Sequence, residues 1–349
     1  MGLGKDCKFN LYSKFKTGER NLITDVKGVK VGHVTIQSED HNVNTGVTAI
    51  IPSEGNVFRE KLFAAPSIIN GFGKSTGLIQ MQELGTLETP IIMTNTLSVG
   101  TAMTAMVKYM MEQNPEIGVT TGTVNCVVTE CNDGEINDIR GLHVKEEDVL
   151  QAIANADVTF EEGAVGGGTG MEMMALKGGI GSASRVLTMG GKEYTIGALC
   201  MTNYGTDDNL TIGGDHIGRR IDAKRKKPED KGSCIIIIAT DIPMIDRQLR
   251  RVANRGAHAL ARTGSYSGNG SGDIAIAFST ANKIEHFNTE KTKNIEMIYD
   301  EELSPVFEAT VECVEEALIS SLYHAKHTLG VRGRDEMCLG EFLDLYEGV

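Results

Sequence analysis

The chain of 349 residues has no tryptophan, only 7 prolines and only 5% aromatic residues. Aromatics this sparse speak against an extended stacking groove for sugars or single-stranded nucleic acid. Positive charge is also short, with 34 Lys and Arg against 47 Asp and Glu and a formal net charge of −13. Nucleic acid or an anionic lipid surface would reward a basic face, so neither is expected as the main partner. No uncharged apolar run approaches the ~20 residues of a membrane span. The stretch from Met1 to Lys16 carries charges but lacks the apolar core of a signal peptide. The seven cysteines are odd in number and scattered, with no CxxC, and Cys126 and Cys131 stand too alone for a four-ligand site. A reduced, cytoplasmic enzyme or binding protein is the class that remains.

Several catalytic signatures are missing as well. There is no HExxH, and His324 and His327, three apart on an expected helix, have no third ligand nearby. Gly71-Phe-Gly-Lys-Ser-Thr-Gly77 would need a glycine at position 68 to make a phosphate loop, and that residue is isoleucine. Gly163-Ala-Val-Gly-Gly-Gly-Thr-Gly170 lacks the preceding strand and following acid of a dinucleotide site. Its glycines suit a backbone passing close to a substrate, or a tight connection between elements.

Glycine is what the chain has in excess: 41 residues, about 12% against a usual ~7%. Short runs rich in Val and Ile recur between the glycines and read as strands: around Val29–Val34, then Val47–Pro52, Pro90–Met93, Val124–Val128, Ile196–Met201, Cys234–Ala239 and Ile274–Phe278. Helical spacing appears at Thr101–Gln113, with Met103, Met106, Val107 and Met110 on one face. It appears again at Met244–Ala261 and at Pro305–Thr328. Residues 1–20 read as a loose polar arm, and 21–349 as one α/β domain without a dividing linker. The basic run Arg219–Lys231 reads as a solvated surface loop.

The chemistry-bearing stretch is Arg262-Thr-Gly-Ser-Tyr-Ser-Gly-Asn-Gly-Ser-Gly-Asp273, running into Ile274–Asn282. Its residues make good turns. Asn269-Gly270-Ser271 also has the form of an intramolecular N→O acyl-shift site. A serine hydroxyl can attack the preceding carbonyl, and flanking glycines permit unusual backbone angles. Cleavage would free a serine whose own α-amine, with a pKa near ~8, can act as general base.

The sequence resembles the self-processing L-aminopeptidase/D-esterase-amidases and β-peptidyl aminopeptidases, which are related in fold to ornithine acetyltransferase. The likeness runs from about Asn21 to Thr328. It rests on Ile23–His33, Thr94–Gly100, Glu130–Gly134, Val165–Met171, Thr202–Gly205, Ala239–Asp241 and Asn269–Asn282. It implies a four-layer α/β/β/α sandwich. It also implies a precursor cut between Gly270 and Ser271 into α chain 1–270 and β chain 271–349, with Ser271 as N-terminal nucleophile. By the same resemblance Asn203 donates to the oxyanion and Glu130 faces the substrate's free amine. A hydroxyl residue and a glutamate two positions later complete the pattern, as Thr310-Val-Glu312 or as Cys313-Val-Glu315. Ala164 replaces a tyrosine or asparagine of some relatives, removing one possible donor. The expected activity is removal of amino-terminal residues from short peptides, amides or esters, with no metal or organic cofactor, by a homo-oligomer that family resemblance makes a tetramer. An acyltransferase of the ornithine acetyltransferase type, a silent peptide-binding scaffold and a nucleotide-binding protein are the alternatives.

Overall fold

The computed structural model describes residues 9, 11–220 and 232–347, so most of the basic run lies outside the described residues. The first six strands are β1 (Lys30–Gln37), β2 (Asn44–Ile51), β3 (Glu60–Gly71), β4 (Thr86–Leu87), β5 (Ile91–Asn95) and β6 (Val127–Cys131). They are followed by β7 (Glu172–Met173), β8 (Leu176–Lys177), β9 (Ile180–Met189) and β10 (Lys192–Asn203). The last four are β11 (Ser233–Thr240), β12 (Gly272–Glu285), β13 (Thr328–Gly330) and β14 (Arg334–Glu336). Helices α1 (Leu78–Leu84), α2 (Val99–Gln113) and α3 (Glu146–Ala154) belong to the first half. The second half carries α4 (Asp246–Ala253), α5 (Gly256–Arg262), α6 (Leu303–His324) and α7 (Leu339–Glu347).

Two main sheets form, in the orders β1-β2-β5-β6 and β4-β3-β12-β11-β10-β9. Three apolar clusters show how they stack. Val47, Ala49, Ile92 and Val128 pack outward from the smaller sheet onto α2 and α3. Ile50, Ile91, Met93 and Val127 meet Leu199, Met201, Ile235, Ile237, Ile274 and Ile276 between the sheets. The far face of the larger sheet packs Ala198, Ile236, Ile238 and Ala277 against α4, α5 and α6. The result is the expected helix–sheet–sheet–helix order. Strand β11 is the centre of this plan. Its four consecutive isoleucines, Ile235–Ile238, show no alternation because both faces of the strand are covered.

The Val- and Ile-rich runs all meet strands, although Val124–Val128 overlaps β6 only at Val127 and Val128, whereas β3 and β9 carry little such signal. In β3 the run Ala64-Ala65-Pro66-Ser67 looks unlike a strand. Its neighbour β4 pairs only with Leu62 and Phe63, so Pro66 lies where the sheet edge is free and a missing N–H is tolerated. The long expected helix at 244–261 is two, α4 and α5, separated at Asn254-Arg255. Gly256 opens the second, where an added Cβ would lie 3.0 Å from Ile236 and 3.4 Å from Ala275. In α2 the buried stripe is Val99, Ala102, Ala105, Met106 and Met110, while Met103 is 40% exposed. The arm is also less loose than its polarity implies. Ser13, Lys14 and Phe15 bond the Glu312 carboxylate, Lys16 bridges to Val186, and the Gly18 amide donates to Ser184 Oγ.

Candidate active site

Strand register assembles the site. Asn203 at the end of β10 pairs with Ser233 on β11, Ser233 pairs with Gly272 on β12, and Gly272 pairs with Gly71 on β3. This row puts Asn203 and Ser271 at the same end of the larger sheet, although 68 positions separate them in sequence. Ser233 Oγ accepts the Gly272 amide at 3.1 Å and so ties the first residue of β12 to β11. Gly272 is held to glycine by crowding, since a Cβ there would lie 2.8 Å from Phe72 O and 3.2 Å from Gly73 Cα.

Ser271 is buried, and its Oγ donates to Asp273 Oδ1 at 2.7 Å. Two positions apart on an extended chain, the two side chains share a face. Alternation along β12 sends Ile274 and Ile276 between the sheets and Ala275 and Ala277 toward the helices. Asp273 falls on the helix side, so the hydroxyl is drawn away from the cleft between the sheets. The turn before Ser271 is gathered by Asn70, whose Nδ2 bonds Ser271 O and reaches Gly268 O at 3.0 Å and Asn269 O at 3.3 Å. Left-handed backbone falls at Gly264 and Ser267 rather than at Gly270 or Gly272. Gly272 therefore serves close packing, not the unusual angles that the composition of the turn suggests.

On the cleft side, the three residues Phe72, Gly73 and Lys74 link the serine to Glu130. Phe72 N donates to Ser271 O at 3.2 Å, and Lys74 N donates to Glu130 Oε1 at 2.7 Å. Thr96 Oγ1 donates to the other carboxylate oxygen, so Glu130, 3% exposed, is oriented from both sides. A Cβ on Gly73 would stand 3.4 Å from Glu130 Oε1 and 3.7 Å from Gly272 Cα, which measures how near the carboxylate comes to the strand that follows Ser271. Asn203 is 9% exposed; its Oδ1 accepts the Glu172 amide at 2.9 Å and its Nδ2 donates to Asn132 O at 3.0 Å. Among the described residues the second N–H of that amide has no partner.

The two hydroxyl–glutamate candidates lie elsewhere. Glu312 accepts Lys14 N at 3.1 Å and pairs with Arg185 at 3.4 Å. Arg185 belongs to the row Arg185–Ile196–Thr240–Ser279, seven residues along β12 from Gly272 and three strands from it. The structure therefore does not bring Glu312 to Ser271, because its carboxylate is needed to neutralise a buried guanidinium. Thr310 Oγ1 closes back on Val306 O within α6. Cys313 contacts Ala183 O at 3.2 Å, and burial pushes its thiol up to about 12. Glu315 pairs with Arg262 at 2.8 Å, at the residue where α5 gives way to the serine loop. It anchors the start of that loop without touching the serine.

The glycine-rich loop is buried between the sheets. A Cβ on Gly167 would lie 2.7 Å from Met93 O, and one on Gly170 2.3 Å from Asn44 O. Its amides are already taken: Gly166 by Thr35, Gly167 by Thr48, Gly168 by Val165 and Thr169 by Gly166. A phosphate would find none of these four amides free, so the nucleotide reading fails and the tight-connection reading stands. Ala164 lies beside Gly179 and offers no polar group. Asp273, Asn70 and Ser233 escape a reading by motif, since their roles depend on contacts made only in the fold. The period-two spacing of Ser271 and Asp273 is the one signal that sequence offers for them.

The model of peptidase family S58 matches residues 21–336. The chain belongs to that family. A β-peptidyl aminopeptidase from Sphingosinicella microcystinivorans is 38% identical over 343 residues, covering 91% of this chain and 85% of the relative. Among solved structures, the PH0078 protein of Pyrococcus horikoshii OT3 is 51% identical with a TM-score of 0.92, covering 97% of this chain and 96% of that one. The L-aminopeptidase D-Ala-esterase/amidase of Ochrobactrum anthropi, described as a prototype serine aminopeptidase with a variant N-terminal-nucleophile hydrolase fold, is 35% identical with a TM-score of 0.88 over the same shares. This S58 peptidase thus has the sandwich of its relatives over almost its whole length. No helix among its described residues is long and apolar enough to cross a membrane.

Proposed function

We propose that the protein is a self-processing serine aminopeptidase that removes amino-terminal residues from short peptides, amides or esters. The observation that carries this reading is the shared row of Asn203, Ser233 and Gly272, with Glu130 linked to it through Phe72–Lys74. In the uncut chain the Ser271 hydroxyl is hydrogen-bonded to Asp273. Its oxygen attacks the Gly270 carbonyl carbon, the C–N bond to Ser271 breaks, and the hydroxyl proton passes through Asp273 to the leaving amine. Water then hydrolyses the Gly270–Ser271 ester. The products are a Gly270 carboxylate and a Ser271 that carries a free α-amine.

Freed of the preceding turn, Ser271 turns toward the cleft. Its α-amine takes the hydroxyl proton as the oxygen attacks the substrate carbonyl. Asn203 donates its spare N–H to the tetrahedral oxyanion, a contribution of about 3 kcal/mol. The acyl-enzyme is then released by water. Glu130 pairs with the substrate's ammonium, a charge-assisted contact that a blocked peptide forfeits. That pairing makes the enzyme an aminopeptidase rather than an endopeptidase. The relatives' activities, β-peptidyl aminopeptidase and L-aminopeptidase D-Ala-esterase/amidase, agree with a site that reads a free amine and a neighbouring carbonyl. The test is a pair of anilides differing only in N-acetylation. The free-amine anilide is hydrolysed and the acetylated one is not; equal rates would overturn the assignment of Glu130.

A further inference from the structure

Lys177 is fully buried, and its ammonium is bound by three backbone carbonyls: Met171 O at 2.6 Å, Gly178 O at 2.7 Å and Gly168 O at 3.2 Å. Nothing in the chemistry above uses it. A cation in such a place is costly, so its contacts carry information. One of them matters most. The Met171–Glu172 peptide gives its carbonyl to Lys177 and its N–H to Asn203 Oδ1 at 2.9 Å. Lys177 and Glu172 also sit opposite each other in the β7–β8 pair.

We infer that Lys177 is a positioning residue for the oxyanion donor, acting through that single peptide plane. The ammonium pulls on the Met171 carbonyl, which strengthens the Glu172 N–H as a donor. That N–H holds Asn203 Oδ1, and the Asn203 Nδ2 is thereby turned and polarised toward the oxyanion. Successive hydrogen bonds of this kind reinforce one another. The same ammonium binds Gly168 O and Gly178 O, so it also fixes the glycine loop against the turn beside Asn203. The inference rests on Asn203 as the oxyanion donor.

The charged groups around the ammonium are Glu336 on β14, Glu172 on β7 and Asp133 after β6, with Arg334 paired to both glutamates. Burial pushes Lys177 down to about 7 against the pull of these acids, and burial pushes Asp133 up to about 6. When Lys177 loses its proton the relay weakens, which sets a falling limb on kcat against the rising limb brought by deprotonation of the Ser271 α-amine.

The test compares Lys177→Met, Asn203→Ala and the double variant, each confirmed folded and processed, on a free-amine anilide. Asn203→Ala lowers kcat roughly 100-fold or more. Lys177→Met lowers kcat about 10-fold with KM little changed and removes the alkaline fall of kcat, and the double variant is no slower than Asn203→Ala alone. Losses that multiply in the double variant, or a Lys177→Met enzyme with wild-type kcat, overturn the relay. An Asn203→Ala enzyme at full rate instead overturns the oxyanion assignment beneath it. Should Lys177→Met fail to fold, the wild-type profile decides, because a kcat that only rises to a plateau between about pH 6.5 and 9, with no falling limb, contradicts the relay.

Discussion

Two buried cations, Arg185 and Lys177, are held in opposite ways. Arg185 on β9 meets two carboxylates, Glu316 at 2.6 Å and Glu312 at 3.4 Å. Burial opposes its charge, yet Glu316 and Glu312 more than offset this, so the guanidinium stays protonated. Lys177 meets only neutral carbonyl oxygens at contact distance, and burial brings it within reach of neutral pH. The first arrangement closes a sheet edge against a helix and the N-terminal arm. The second leaves a charge one peptide plane away from Asn203, the residue proposed as oxyanion donor. Direct ion pairing locks structure, whereas carbonyl solvation of a buried amine keeps it adjustable.

The largest effect that would sharpen this contrast comes from Arg185→Met. It leaves Glu312 and Glu316 buried without their partner, and it should lower unfolding free energy by about 3–5 kcal/mol in a denaturant titration. A change below 1 kcal/mol would mean that the arm and helix hold without the pair. On β6 of the smaller sheet, Glu130→Gln should leave stability nearly intact and reduce kcat/KM for free-amine substrates about 10- to 100-fold, matching the worth of one charged hydrogen bond. An unchanged kcat/KM would remove Glu130 from amine recognition.

A pH effect comes next. Asp133 has its carboxyl pushed from 3.8 up to about 6 by burial, despite the hydroxyl of Thr45 at 2.6 Å. A raised folded value stabilises the protein below the unfolded pKa, and that stability is lost as pH rises from about 4 through about 6. The loss should reach up to about 3 kcal/mol and vanish in Asp133→Asn, as read by denaturant midpoints at pH 4 and pH 7. The smallest effect belongs to Arg262→Ala. Its bond to Glu315 joins a half-exposed guanidinium to a nearly covered carboxylate, and surface pairs of this kind contribute at most about 1 kcal/mol. A larger loss would show that the serine loop depends on that anchor.

The same contrast explains what could be read from the sequence. Ser271, Glu130 and Asn203 carry motif signals, and strands built on Val and Ile announce themselves by composition. Strand β9, with Gly181-Ser-Ala-Ser-Arg185, does not, because its small side chains make room for α6: a Cβ at Gly181 would lie 2.0 Å from Ala317 O. Glu312 and Glu315 look alike on a helix and differ only in what stands opposite them, Arg185 for one and Arg262 for the other. Lys177 resembles any surface lysine until three carbonyls from a loop and a turn close around it. Pairwise chemistry between distant segments leaves no periodicity, so those roles became legible only in the fold.

Ser271 is proposed both to cut its own chain and to become the nucleophile. An intact mass spectrum of the wild type beside Ser271→Ala tests it most directly. The expected result is a wild type split between Gly270 and Ser271 and a variant that stays whole and inactive on free-amine anilides. A wild type that remains one chain of 349 residues after long incubation, yet still hydrolyses those anilides, would contradict it.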